Sequence, residues 1–522
     1  MREFNTFGPV NPRDHYHVNR VAVKAALRAK IAKGRYFTLN AARQTGKTTL
    51  FREVVAELEA EETHFGLLVS FETLRGYNRS EFYHWLRQKL LDALRRHVGP
   101  QAQILDWLAG VELTEHNGFG LALRGLCRKM GRRGVLIIDE FDAISAEFAE
   151  PMLAMFREMY LSRGEPGYDA LASIILVGVR NIPALLSGTQ SPFNIADQFT
   201  VPYFTPAEVA NLLDQHTAET GQPFTPQVIA GIIRETEGQP FLVNRLGQLL
   251  TQDIVPDRER PITAADLDYA LALLVSEDNT HFSSIRSKAA LHRAEVITAL
   301  FNPARYYDFQ DEVARDLLMY GVFRTQTDEA GLPYACIANP IYRRMLVKAF
   351  APAHPLITQA ANGLVRPPFV VNGQLDFDRL LDGFKGFMEE HGVRLLRSEA
   401  TGRPLEISGQ YLLLSYLTAA LKSIGGHVTI ESLSSAGEMD ILAFYRGQRF
   451  IVETTIWYGM AAYEQGQAQL TAYLTAAGLA RGYLVIFDEQ LATNPLASQT
   501  GEVFELPAGE KTLRVYLIAV RV

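Results

Sequence analysis

An α/β fold, with a parallel sheet covered by helices, is predicted for the amino-terminal part of the chain by three observations. Up to about residue 203, short apolar runs alternate with segments of helical periodicity, which is how a sheet buried on both faces reads in sequence. The first run leads through a glycine, a lysine and threonines directly into an amphipathic helix. A later run ends in two consecutive acids.

Strands are expected at 36–39, 65–71, 135–138 and 173–179, and helices at 48–60, 80–97 and 119–130. In the first helix Leu50, Phe51, Val54, Val55 and Leu58 share one face, as a helix packed on a sheet requires. These elements make one domain over 1–203. Beyond it the strands stop, and Thr205-Pro206-Ala207-Glu208 and Thr263-Ala264-Ala265-Asp266 have the form of capped helix starts, so 204–280 is expected to be a small helical domain. Over 281–350 the order is helix, helix, a strand at 322–327, an Asp328-Glu329-Ala330-Gly331 turn, a strand through Ile337 and a helix from Pro340; that order predicts a winged helix. Residues 351–378 are rich in proline and glycine and read as a linker. A second α/β domain is expected over 379–522, with helices at 379–391 and 406–424, strands at 427–432, 439–444 and 449–455, a helix at 463–477, and strands at 482–487 and 513–520.

Composition agrees with this organisation. A chain of 522 residues, 48% hydrophobic and 21% charged, can bury several cores, and at roughly 100–200 residues per domain it should hold about three or four domains. The balance of 51 Lys+Arg against 58 Asp+Glu, net -7, excludes a global basic field, so any contact with nucleic acid or anionic lipid must be local. Residues 1–60 carry 11 basic and 5 acidic side chains, whereas 379–522 carry 12 and 15. Only Cys127 and Cys336 occur, which excludes a disulfide framework and fits a reducing compartment. The start, Met1 to Asn5, lacks the order of a secretory signal, and no 18-residue apolar run occurs; the expectation is a cytoplasmic protein with no membrane partner.

The strongest chemical signal is Leu39-Asn40-Ala41-Ala42-Arg43-Gln44-Thr45-Gly46-Lys47-Thr48-Thr49. Holding a nucleoside triphosphate takes backbone N–H groups converging in a concavity, a helix N-terminus behind them, an ammonium at the β/γ-phosphates and a hydroxyl on Mg²⁺. Gly46, Lys47 and Thr48 meet the last of these needs. The pattern G-x-x-x-x-G-K-[ST] is departed from at its first position, where Ala41 stands; alanine costs little there only if the residue is not held at φ > 0. The run Gly134 to Ile138 followed by Asp139-Glu140 resembles a Walker B segment, in which Asp139 would serve Mg²⁺ and Glu140 the attacking water.

Together these features resemble the AAA+/STAND class of P-loop ATPases over about residues 1–350. The resemblance implies an ATP-binding and hydrolysing switch with a helical lid and a winged helix. Ala42, Arg43, Gln44, Thr45, Gly46, Lys47, Thr48 and Thr49 would bind the nucleotide, Thr48 and Asp139 the Mg²⁺, and Lys47, Glu140 and Asn181 would be catalytic. Within Glu237-Gly238-Gln239-Pro240, Pro240 is similar to the proline that STAND proteins place near the nucleotide. Phe7-Gly8-Pro9-Val10 and His15 to Arg20 resemble the segment before the loop in prokaryotic AAA-like ATPases, where it would pack near the base. A homo-oligomer is a further expectation of the class.

The last domain carries Asp440 and Glu453 on neighbouring expected strands, Gln469 on the following helix, and Glu431 or Glu406 as a further acid. Acids converging from paired strands can hold a second divalent metal that activates water against a phosphodiester. The layout resembles the PD-(D/E)XK nuclease superfamily, a restriction-endonuclease-like mixed α/β fold, and implies a role in defence against foreign DNA or genome maintenance. Thr455 stands where the motif has lysine, and a hydroxyl does not replace an ammonium at a pentacovalent phosphate. Three readings therefore stand side by side: a switch with a nuclease-like effector, an ATP-gated DNA endonuclease, and a scaffold that binds nucleotide without hydrolysing it. Arg343, Arg344 and Lys348 on the last winged-helix segment serve DNA or a protein partner equally well.

Overall fold

The computed structural model describes residues 1–40, 44–97, 102–165, 171–178, 197–301, 311–327, 331–350, 369–396, 408–431, 440–488 and 490–519. The chain forms two compact units, Met1–Leu291 with Tyr307–Asn339, and His292–Tyr306 with Pro340–Val522.

The first unit opens with α1 (Val21–Ala32), β1 (Phe37–Asn40), α2 (Lys47–Ala60), β2 (His64–Ser70), α3 (Arg79–His97), α4 (Ala102–Gly110), α5 (His116–Met130), β3 (Arg133–Asp139), α6 (Ala146–Leu161), β4 (Ser173–Gly178) and β5 (Asp197–Thr200). All five strands are parallel, in the order β2-β3-β4-β1-β5. Alternate residues of each strand serve opposite faces. Val135 and Ile137 of β3 join a core with Leu27 and Ile31 of α1 and Leu50, Phe51, Val54 and Val55 of α2, whereas Leu136 and Ile138 join Phe82, Leu86, Leu123 and Phe156 on the other side. Helix α2 lies so close to the sheet that a Cβ on Gly66 would meet Val55 Cγ1 at 2.3 Å.

The four expected strands are present within two residues, although β4 ends at Gly178 and Val179 lies outside the described residues. The sequence reading passed over α1, α4, α6 and the edge strand β5. Strand β5 holds one aromatic among polar residues and only alternates in burial, and α6 carries Pro151 within its first turns, a residue that reads as a helix boundary.

Four helices follow: α7 (Pro206–Thr220), α8 (Pro226–Thr236), α9 (Pro240–Gln248), which runs into a π-helical turn, and α10 (Ala264–Ser276). Capping boxes form at Thr205 with Glu208 and at Thr263 with Asp266. After these come α11 (Thr280–Leu291), α12 (Arg293–Phe301), α13 (Glu312–Met319), β6 (Phe323–Thr327), β7 (Pro333–Ile337) and α14 (Pro340–Phe350). Strands β6 and β7 form an antiparallel hairpin. The expected domain at 281–350 is divided, with α11, α13 and the hairpin in the first unit and α12 and α14 in the second.

The second unit continues with a two-stranded ribbon, β8 (Val370–Val371) and β9 (Gln374–Leu375), then α15 (Phe377–Leu396), α16 (Ser408–Ser423), β10 (His427–Glu431), β11 (Asp440–Tyr445), β12 (Gln448–Ile456), α17 (Met460–Ala477), β13 (Arg481–Asp488), α18 (Pro495–Thr500), β14 (Val503–Ala508) and β15 (Lys511–Ala519). The end of the expected linker is thus folded, and the Leu375 N–H donates to Gln448 Oε1 at 2.8 Å. The sheet is mixed, ordered β10-β11-β12-β13-β15-β14, with β12, β13 and β15 parallel and the remaining pairs antiparallel. Leu470 and Leu474 of α17 close one face together with Ile451, Leu484 and Val515. Against the other, Phe384 of α15 meets Tyr416 and Phe487, and Asp378 of the same helix receives Tyr483 Oη at 2.8 Å and Arg481 at 2.7 Å.

Candidate functional site

The loop between β1 and α2 closes with Gln44 at φ 57° and Gly46 at φ 80°. Nothing lies within 4 Å of a notional Cβ on Gly46, so glycine is favoured there by the left-handed backbone rather than by space. Gly46 is the N-cap of α2 and receives no side-chain cap. Its first-turn N–H groups and helix dipole therefore face the loop, an arrangement suited to an anion. Ala42 and Arg43 lie outside the described residues. Thr45 is buried, and Lys47 and Thr48 begin the helix.

Across the sheet, β3 and β1 flank β4, which brings Asp139 to Thr48: the threonine hydroxyl faces Asp139 Oδ2 at 3.5 Å. The Glu140 N–H donates to Asp139 Oδ1 at 3.0 Å, with Glu140 itself at φ 55°. Burial pushes the Asp139 carboxyl up from its ordinary value, and the Lys47 ammonium, the Glu140 N–H and the Thr48 hydroxyl pull it back only in part. A hydroxyl and a carboxylate side by side form an all-oxygen donor pair of the kind Mg²⁺ takes, so Thr48 and Asp139 fit that ion. Gly178, at the end of β4, leaves room for Asp142, whose Oδ1 would be 2.9 Å from an added Cβ. Asn181, expected just beyond, lies outside the described residues.

A cleft runs from Gln44, Thr45 and Gly46 to Pro240, Phe241 and Asn244 of α9, with residues 5–18 forming a further wall. That wall is tied down at several points. The Val10 N–H donates to Thr49 Oγ1 at 3.0 Å, so the Thr49 hydroxyl serves the amino-terminal segment. His17 Nε2 meets Glu53 at 2.5 Å, and Lys24 reaches Glu53 at 3.4 Å and Glu57 at 2.7 Å. Burial raises Glu53, but His17 and Lys24 outweigh it and leave the carboxyl below its usual range. Arg20, buried, donates to Pro202 O at 2.6 Å and Tyr203 O at 3.3 Å. On the α7 side, Tyr16 Oη meets His216 Nδ1 at 3.2 Å, and His216 Nε2 meets Gln222 Oε1 at 3.0 Å.

The segment Glu237–Gln239 leads into Pro240, which lines the same cleft. Gly238 sits at φ 74°, where an added Cβ would lie 1.9 Å from Phe204 O. Gln239 is fully buried and reaches the phosphate loop, its Nε2 facing Gln44 O at 3.4 Å. Sequence reasoning singled out Pro240 and missed Gln239. The sequence carries little signal for it, since glutamine is not among the residues favoured at a helix N-cap and its capping bond to Leu242 N–H is seen only in the structure.

In the second unit the backbone register aligns three of the expected acids. Glu431 pairs with Asp440 across β10 and β11, and the β11–β12 register Ile441↔Val452 places Asp440 and Glu453 at successive opposed positions. Glu453 is 1% exposed, on the face of Ile451 that α17 covers, and Gln469 lies along that helix. Thr455 is two residues beyond on the same face, with Cγ2 3.8 Å from a notional Cβ on Gly466. Glu406 lies outside the described residues. Among the described residues no group of three or more His, Cys, Asp or Glu side chains is placed to hold a metal, and no helix is long and apolar enough to cross a membrane.

No curated protein matches the sequence. Among solved structures, a Walker-type ATPase of Pyrococcus abyssi is similar at 16% identity, covering 66% of this chain and 99% of its own, with TM-score 0.43. The Aeropyrum pernix ORC1 protein in complex with DNA gives 13%, 64%, 93% and 0.33 in the same order. The Thermotoga maritima RuvB Holliday junction branch migration motor gives 14%, 61%, 92% and 0.34. The family model for the AAA-like domain matches residues 6–258, the stretch that holds the parallel sheet, the glycine–lysine–threonine loop, the acidic pair and helices α7 to α9, so over this stretch the chain is similar to the AAA-like domain.

Proposed function

We propose that the first unit binds and hydrolyses ATP with Mg²⁺, as a switch in which α7 to α10 act as a lid over the nucleotide. The observation that carries this reading is the approach of Thr48 to Asp139 at the mouth of a loop whose last glycine is left-handed and heads a helix. In this reading the loop N–H groups and the Lys47 ammonium hold the β- and γ-phosphates, and the Thr48 hydroxyl and Asp139 carboxylate hold the ion. Bound Mg²⁺ supplies neutralisation of phosphate charge. Glu140 orients the attacking water and accepts its proton, because transfer of a phosphoryl group rests on positioning and charge rather than on covalent chemistry. The test is steady-state ATP turnover and equilibrium ATP binding. Lys47→Ala should lose both, whereas Glu140→Gln should bind ATP and turn it over at least about a hundredfold more slowly. Turnover by Lys47→Ala at the wild-type rate ends the reading, and wild-type turnover by Glu140→Gln removes Glu140 from its role.

We further propose that 379–522 is a PD-(D/E)XK-like effector domain responding to the nucleotide state, in defence against foreign DNA or in genome maintenance. What favours this is the common register of Glu431, Asp440 and Glu453 on three adjacent strands. With Thr455 in place of lysine, cleavage would rest on metal and acids alone. Plasmid nicking in Mg²⁺ or Mn²⁺, lost in Asp440→Ala and Glu453→Ala, would support an ATP-gated endonuclease. Plasmid left equally intact by wild type and Asp440→Ala, across metals and nucleotides, would leave a non-cleaving effector.

A further inference from the structure

We infer that Gln239 is a positioning residue through which the lid sets the orientation of one peptide of the phosphate loop; this rests on the nucleotide-binding reading above. The side-chain amide is spoken for at both ends. Its Oε1 accepts the Leu242 N–H at 2.7 Å, capping α9, which leaves Nε2 as the donor aimed at Gln44 O at 3.4 Å. No rotation of the amide can exchange these roles without setting a donor against a donor. The side chain is fully buried, so water does not substitute for either partner.

Gln44 O belongs to the peptide joining Gln44 to Thr45, and in a trans peptide the carbonyl and the N–H point to opposite sides. Holding the carbonyl toward the lid directs the Thr45 N–H the other way. Gln44 is a non-glycine residue at φ 57°, a backbone setting costly for a side chain that its surroundings must hold in place. A flipped peptide would present a carbonyl oxygen where the loop needs a donor, and would repel a phosphate. Gln239 is itself held from both sides. Gly238 pairs with Phe204, whose N–H donates to Gly238 O at 2.9 Å, and Glu237 makes a bidentate pair with Arg324 of β6 at 2.7 and 2.8 Å. The position of the lid and hairpin is thereby linked to the polarity of the phosphate cradle.

The contact acts on the fraction of molecules with the peptide correctly turned, and apparent affinity scales with that fraction. Two variants separate it from capping. Gln239→Glu keeps an acceptor for Leu242 N–H and loses the donor, and Gln239→Met is neutral and similar in size. The full chain is titrated calorimetrically with ATP and with adenosine, and ATP turnover is followed for wild type, both variants and Lys47→Ala. Expected are about three- to tenfold weaker ATP binding in both Gln239 variants, a matching rise in KM, kcat within about twofold of wild type, and unchanged adenosine affinity. Equal losses for ATP and adenosine would show a general disturbance of the cleft and overturn the inference. So would wild-type ATP affinity in Gln239→Met, since a loss confined to the Glu variant reports only added charge. If Lys47→Ala binds ATP as wild type does, the nucleotide reading itself fails, whereas tight wild-type binding that is lost in Lys47→Ala but kept in both Gln239 variants overturns this inference alone.

Discussion

Acid should loosen the first unit through His281. This residue, near the start of α11, is 4% exposed, with its ring 4.5 Å from that of Phe241, which lines the candidate nucleotide cleft. Burial holds its imidazole down from the ordinary 6.5 to about 3. Because the folded-state value is depressed, the unfolded chain takes up a proton before the folded one does, so stability is complete above about pH 6.5 and falls as the pH drops toward 3. Linkage between those two values gives a loss of about 1.4 kcal/mol at pH 5.5 and about 2.7 kcal/mol at pH 4.5, against almost nothing at pH 7.5. The perturbation is His281→Phe, apolar and of similar shape, which removes the titration and should be selectively protected in acid. The assay is urea unfolding at pH 7.5, 5.5 and 4.5 in a Trp457→Phe background, so that fluorescence reports only Trp85 and Trp107 of the first unit. Comparing wild type with the variant at each pH cancels the other titrating groups. A wild-type-minus-variant difference that changes by less than about 0.5 kcal/mol between pH 7.5 and 5.5 would refute the reasoning.

Three further outcomes are expected. Gly238→Ala combines a left-handed residue with a Cβ 1.9 Å from the Phe204 carbonyl, a backbone atom with no rotamer to yield, so it should cost about 3 kcal/mol or more and weaken ATP binding; an unchanged unfolding midpoint would contradict the geometry. Arg324→Ala removes both bonds to Glu237, but the two side chains are 28% and 33% exposed, and screening limits the loss to about 1 kcal/mol; the loss should shrink in 0.5 M salt, which calorimetric melting at two ionic strengths would check. Asp378→Ala strips acceptors from Tyr483, Arg481 and Arg514 where α15 meets the second sheet. It should destabilise that unit by about 1–3 kcal/mol, read as earlier loss of amide protection in β13 and β15, and equal exchange in both proteins would rule the network out as a stabilising element.

Much of the first unit is legible in sequence because its signals are local. Strands buried on both faces read as apolar runs, a left-handed N-cap favours glycine, and a glycine–lysine–threonine string or an acid at a strand end is visible within a short window, as at Gly46, Lys47, Thr48 and Asp139. Strand β5 and α6 are not visible in this way, because an edge strand needs no continuous apolar run and a proline in the first turns of a helix looks like a boundary. In the second unit β14, an edge strand like β5, is missed for the same reason: none of its residues is fully buried.

The loop and the acidic pair can be picked out from residue type at fixed spacing along one stretch of chain. The period of each core helix can be read in the same way. Folding in three dimensions is what makes Thr49 serve Val10, gathers His17 and Lys24 on Glu53, lets Gln239 reach Gln44 across 195 residues, and sets Glu431, Asp440 and Glu453 in one register. Such pairings are set by strand order and by which helix faces turn inward, and strand order follows from the summed burial of the whole sheet, a quantity that no local window of sequence contains.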